Sequence, residues 1–312
     1  VAPDELRRAQ DELKVILDAP RGPETANALA EQIQRQMAEW GDRAERVILQ
    51  LRPARYPIPE ALGGGHELVR QVTRFQNPGK VVKAFLDNLE AVRRWHAQAQ
   101  TLYQFVVLDG RLPVYQTARQ LLDRLARAVQ SPDLAAQFDA ETLARRDALV
   151  KMIADGQVAE AWDRFQTAYE PLRDRFRQVY EDWHTRRAEA LAAAQADLHA
   201  AGLDAAALNP YCCPGLRWTA DSLACGECHA ELHELPTHLV AIPALTRQQL
   251  VREQAQPVRH AEAGGKRVVS VPLAAVLGGR EIEDEAGRDA ALDALRQTID
   301  DALQDADVVR LA

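Results

Sequence analysis

The chain has 312 residues, 47% of them hydrophobic and 27% charged, with 16 Gly, 16 Pro and a net charge of −8. This is ordinary globular composition, which argues against a disordered, collagen-like or membrane-embedded chain, and the length favours two domains. No apolar run approaches the roughly 18–20 residues that span a bilayer, and the opening VAPDELRRAQDEL is amphipathic and charged rather than a secretory leader, so a soluble cytoplasmic protein is expected. Val at position 1 fits a fragment of a longer chain or an alternative start codon.

Charge is unevenly placed. Residues 1–200 hold 28 Lys+Arg against 29 Asp+Glu, a net of −1, and residues 201–312 hold 10 against 17, a net of −7. A broad basic face for nucleic acid is therefore disfavoured, because neutralising phosphates needs clustered Lys and Arg. The arginines 173, 175, 177, 186 and 187 are interleaved with Asp174, Glu181 and Asp182, the pattern of a solvated, ion-paired helix face.

In chain order, residues 4–18 and 24–51 read as helices separated by Pro20-Arg21-Gly22-Pro23, which cannot continue a helix. Pro53, Pro57, Pro59 and Gly63-Gly64-Gly65 mark an irregular connection. A long helix is expected to start after Asn77-Pro78-Gly79, carrying Val82, Phe85, Leu86, Leu89, Val92, Leu102 and Val106 at helical spacing. Shorter helices follow around 114–129 and 140–154, the second opened by Asp139-Ala140-Glu141 and closed near Gly156.

The strongest periodicity comes next. Val158, Trp162, Phe165, Tyr169, Leu172, Phe176, Val179 and Trp183 alternate steps of 4 and 3, a 3.5-residue repeat. It predicts a coiled-coil-like seam serving as bundle core, with Pro171 kinking a helix or joining two collinear ones without reversal. Ala-rich sequence then runs to about residue 201. Beyond it, His238 to Pro243 is partly β-branched, Leu245 to Gln254 suits a helix, Lys266 to Pro272 reads as a strand, 289–304 as an acidic amphipathic helix and Val308 to Leu311 as a closing strand.

All four cysteines lie between Cys212 and Cys228. A C-x-x-C pair such as Cys225-Gly226-Glu227-Cys228 bends round a metal so that both sulfurs reach one ion at about 2.3 Å, and zinc suits thiolate and imidazole ligands. Adjacent side chains such as Cys212 and Cys213 rarely converge on one tetrahedral ion. The preferred ligands are therefore Cys213, Cys225 and Cys228, with the fourth from Cys212 or from His229, His233 or His238. Cys225 to His229 also spells the C-x-x-C-H of covalent haem attachment, but that reading leaves Cys212 and Cys213 without a role. His229-Ala230-Glu231 follows the paired cysteines where a zinc deaminase has H-x-E before them, and no H-E-x-x-H is present. Asn77-Pro78-Gly79-Lys80 lacks the earlier glycine of a nucleotide-binding P-loop and is read as a turn and helix cap. His184, beside the seam, is read as a hydrogen-bonded structural histidine.

The order of NPGKVVKAFLDNLEAVRRW, YEDWHTRR, CCPGLRWTADSLACGECHAEL, KRVVSVPLAAVLGGREIEDE and DADVVRLA resembles the C-terminal part of the large ATPases of BREX anti-phage systems, the PglY/BrxC family. Members hold their nucleotide site in an N-terminal P-loop domain, for which this sequence has no motif. The resemblance therefore implies a non-catalytic tail or split gene product that binds no ATP itself, with the cysteines as zinc ligands and other subunits of a defence complex as partners. DNA association would be indirect.

The expectation is thus a mainly α protein: a helical bundle with a long coiled-coil-like hairpin over residues 1–205, a zinc-binding loop over 206–238, and a small acidic α+β module over 239–312. A stand-alone DNA-associated zinc protein and a c-type haem protein are the alternatives.

Overall fold

The computed structural model describes residues 1–17, 24–219, 222–254, 258–261, 267–271, 285–304 and 308–311. The Pro20–Pro23 break, Lys266 and Pro272 lie outside the described residues. By its internal contacts the chain divides into two units, Val1–Gln178 and Val179–Ala312, a division that falls ahead of the boundary expected at residue 205.

The first unit is helical among the described residues. It comprises α1 (Pro3–Leu17), α2 (Ala26–Leu51), α3 (Glu60–Gly63), α4 (Gly65–Thr73), α5 (Pro78–Asp87), α6 (Leu89–Tyr103), α7 (Leu112–Ala128), α8 (Pro132–Ala135), α9 (Ala140–Ala154) and the first part of α10 (Trp162–Ala200). Local chemistry starts these helices where the sequence indicates. Asn77 accepts the Lys80 N–H at 3.2 Å with Pro78 in the first turn, and Asp139 accepts the Thr142 N–H at 2.7 Å. Gly156, at φ 68°, leaves the helical region just beyond α9.

The packing of this unit is apolar. Helix α2 packs against α1, α4, α5 and α6, burying Leu29, Ile33, Met37 and Val47, and α6 contributes Val92, Trp95 and Ala99. Each large side chain withdrawn from water contributes about 1.5–3 kcal/mol. Gly65 is required by this packing: a Cβ there would stand 2.2 Å from the Trp95 indole nitrogen. Tyr56 ties two loops together, donating to the Gly156 carbonyl at 3.0 Å and accepting the Ala159 N–H at 3.1 Å, and its burial pushes its pKa up to about 12.

Three expectations are corrected. The helix after Asn77 is not continuous: Asn88, at φ −105° and ψ 14°, donates its side-chain amide to the Ala84 carbonyl at 2.8 Å and separates α5 from α6, and a π-helical turn, Gln104–Leu108, follows α6. The connection after Pro59 contains two short helices, α3 and α4, with Gly64 between them. The segment His238 to Pro243 is helical, inside α11 (Leu235–Gln254). There Ile242 is fully buried, so a local β-branched bias yields to tertiary packing.

All eight seam residues are buried. They lie on or just before α10, one helix of 39 residues that carries Pro171 in its interior, so the repeat occupies a single helix where two had been allowed for.

In the second unit the rest of α10 is followed by a 3₁₀ turn, Ala206–Tyr211, the cysteine loop, a second 3₁₀ turn, Leu232–Glu234, and α11. Leu191, Ala194 and Leu198 of α10 form a small core with Leu208 and Ile242. Further on, β1 (Val258–Ala261) pairs antiparallel with β2 (Arg267–Val271), which pairs parallel with β3 (Val308–Leu311). The sheet contacts α12 (Glu285–Gln304), where Val271, Ala302 and Val309 meet. The expected strands and acidic helix are present, and β1 is an addition. No helix among the described residues is long and apolar enough to cross a membrane.

Candidate metal centre

The site is built by one face of α10 and by the loop that follows it. Tyr180, His184 and Arg187 stand at steps of 4 and 3, which places them along one side of a helix. Tyr180 grips the loop backbone at two points. Its hydroxyl accepts the Cys225 N–H at 2.9 Å and donates to the Ala230 carbonyl at 2.8 Å, and its ring packs on Trp218 at 5.2 Å. Burial is the main cause that raises its pKa, so the phenol stays protonated and keeps both bonds.

The loop itself is a metal-binding knuckle in form. The Cys225 sulfur accepts N–H groups from Arg217 and Glu227, each at 3.4 Å, and the Gly226 N–H bonds the Arg217 carbonyl at 2.8 Å. The turn closes where the His229 N–H reaches the Cys225 carbonyl at 3.0 Å, with His229 at φ 54°. Glu231 and Glu234 form a reciprocal capping box at the exit, fixing the start of the second 3₁₀ turn. Burial raises the Cys225 thiol, but N–H groups of Cys228, Arg217 and Glu227 outweigh it and bring the pKa to about 7. At Cys213 burial dominates and pushes the thiol up to about 11.

Four donors converge: His184, Cys213, Cys225 and Cys228, all within 4.8 Å of one another. The Cys213 and Cys225 sulfurs are 3.7 Å apart, and the Cys228 sulfur is 3.6 Å from His184 Nε2. Disulfide-bonded sulfurs would be about 2.05 Å apart, and all four cysteines are free thiols. A tetrahedron with metal–sulfur bonds of about 2.3 Å and a metal–nitrogen bond of about 2.0–2.1 Å has edges of about 3.8 Å between sulfurs and about 3.6 Å between sulfur and nitrogen. Both measured edges meet that requirement. Burial first, and then the Arg187 charge, lower the His184 pKa and favour the neutral imidazole that a metal needs.

Of the residues singled out from sequence, Cys213, Cys225 and Cys228 are brought together. Cys212 is not: it is exposed, 3.7 Å from the Leu208 carbonyl and 3.7 Å from the Gln195 side-chain nitrogen. His229 is exposed, His233 lies 3.4 Å from a Glu231 carboxylate oxygen, and His238 packs edge-on against Tyr211 at 5.1 Å. None of the three enters the cluster. The donor that sequence reasoning missed is His184. The signal was its place one turn after Tyr180 on the strongest helical repeat, 29 residues before the first clustered cysteine.

The arginine stripe is engaged locally. Arg173 bonds Asp174 at 2.8 Å, Arg175 donates to the Gln137 carbonyl at 2.6 Å, Arg186 lies 5.2 Å from the Trp183 ring centre, and Arg187 is buried at the cluster.

Fold and site together define a mainly helical protein whose second unit carries a thiolate–imidazole cluster able to hold a metal ion. Residues 5–128, less than half of the chain, match the family model described as the BREX ATP-binding protein BrxC alpha helical domain, and this stretch is similar to that domain. The match takes in NPGKVVKAFLDNLEAVRRW and ends well before the cysteines. No curated protein and no solved structure matches the chain.

Proposed function

We propose that this chain is a non-catalytic scaffold and interaction region of a BREX-type phage-defence ATPase, and that its Cys/His cluster holds a structural zinc ion. The observation that carries the defence reading is the family match over residues 5–128. A BREX component works within a multi-subunit complex, so the partners are other protein subunits of that complex in the cytoplasm. Any DNA association runs through them, and ATP is bound elsewhere in the assembly, since the sequence carries no P-loop motif.

Zinc is favoured by the donor chemistry. Three thiols and an imidazole within 4.8 Å of one another suit a borderline-soft ion with no geometric demand of its own. Four protein donors fill the tetrahedron and leave no position for water or substrate, the arrangement of a structural rather than a catalytic ion.

Co-expression of the full chain with the products of neighbouring genes tests the scaffold reading. Co-purification of a defined complex is expected. A chain that stays monomeric and partnerless while catalysing a reaction alone would overturn it. Metal analysis of the purified protein is expected to return close to one zinc per chain, and a metal-free, folded protein would remove the zinc assignment.

A further inference from the structure

We propose that Arg187 is the built-in counter-charge of an anionic three-thiolate metal centre, and that it positions Cys228 by an N–H···S hydrogen bond. The inference rests on the metal-holding reading of the cluster.

Arg187 is 2% exposed. A guanidinium does not shed its proton in a protein, so this residue is a fixed buried cation. Buried cations are ordinarily matched by a carboxylate. Among the described residues Arg187 has none: its side chain meets the Cys228 sulfur at 3.1 Å and His184 Nε2 at 3.0 Å. Both are donors of the metal cluster. The anion that balances Arg187 is therefore the thiolate set itself.

The charges close. A dication with three thiolates and one neutral imidazole carries −1, and the adjacent guanidinium brings the buried assembly to zero. Neither half is well placed without the other, since each would leave a charge in a region withdrawn from water. Position supports the same reading. Arg187 lies one helical turn after His184 on α10, so the residue that supplies the imidazole and the residue that supplies the charge share a face. Nε2 of His184 has a single lone pair, which an ion and an arginine N–H cannot both use, so with the ion in place the guanidinium donates to sulfur. That bond withdraws electron density from the Cys228 thiolate and blunts its reaction with electrophiles. Arg186 is the natural control: it has the same charge on the next residue, but is exposed and lies over the Trp183 ring.

The experiment uses the full chain and measures zinc and cobalt affinity by chelator competition, together with the rate at which N-ethylmaleimide ejects the metal. Arg187→Met is expected to weaken binding about 10- to 100-fold, the usual range for a group that supports metal ligands from behind, and to speed ejection. Arg187→Lys, which keeps the charge, is expected to recover most of the affinity, and Arg186→Met to leave it unchanged. Binding by Arg187→Met as tight as wild type, or by Arg187→Lys as weak as Arg187→Met, would overturn the proposal. If Arg187→Met does not fold, Cys228→His supplies the test. It converts the cluster to two thiolates and two imidazoles, neutral with a dication, and in that background Arg187→Met is expected to tighten binding. Weakening there, or no change, would also overturn it. Failure of the wild-type chain to bind either metal would instead remove the metal-site reading, before any variant is compared.

Discussion

Trp95 and Cys225 are both fully buried, and the company each keeps separates the two units. Trp95 sits in a helical core packed so closely that Gly65 is the only residue that fits beneath the indole. Around Cys225 the neighbours are a phenol, two thiols, backbone amides and, close by, a buried guanidinium. Burying apolar surface needs many residues but no exact partner, so the first unit can be assembled from many helical turns of ordinary composition. The cysteine loop is too short to form such a core. Its order depends on a few polar groups meeting at fixed distances.

The largest test of that contrast is removal of the metal. Chelation, or Cys225→Ser, is expected to strip amide-exchange protection from residues 212–234 while the helices of Val1–Gln178 keep theirs. In zinc-folded peptides the ion supplies on the order of 10 kcal/mol, so the loss should be near complete locally. Equal loss in both units would break the comparison. A smaller effect sharpens it from the other side. Gly65→Ala sets a Cβ against the Trp95 indole, and overpacking of this kind costs about 1–3 kcal/mol. Urea denaturation should show that loss while the metal content stays at the wild-type level.

The smallest effect is pH-dependent. The Thr142 N–H holds the Asp139 carboxyl below its ordinary pKa of 3.8. A lowered folded pKa means the cap contributes fully above the ordinary value and fades as pH falls through the folded one. Asp139→Ala is therefore expected to lower Tm slightly near neutral pH and to lose that difference in strong acid. A deficit that persisted unchanged into acid would assign the effect to something other than the carboxylate.

Much of the helical architecture was legible because one-dimensional signals carry it. The eight seam positions from Val158 to Trp183 are all buried, and Asn77 and Asp139 cap the helices they precede. The break at Asn88 was hidden because the apolar spacing runs across it in phase. His238 to Pro243 was hidden for a different reason: Ile242 is recruited into a core with Leu198 and Leu208, and that demand is invisible in a local window. The three sulfurs that converge were legible from the C-x-x-C pair Cys225 and Cys228 and from the crowding of all four cysteines into one segment. His184 was not, because it sits inside a pattern that already had an explanation as bundle core. Cys212 shows the converse, a ligand-type residue whose side chain turns towards Leu208 while its neighbour Cys213 joins the cluster.

The placement of His184 on α10 also makes the cluster depend on two separate pieces of chain. The thiols belong to one short loop, whereas the imidazole comes from α10, so a cluster with all four donors needs residues 180–187 wound as helix and the loop docked on it through Tyr180 and Cys225. A fourth bond to an ion would therefore report that α10 is formed at this level. An ion held there would tie the cysteine loop to a formed stretch of α10.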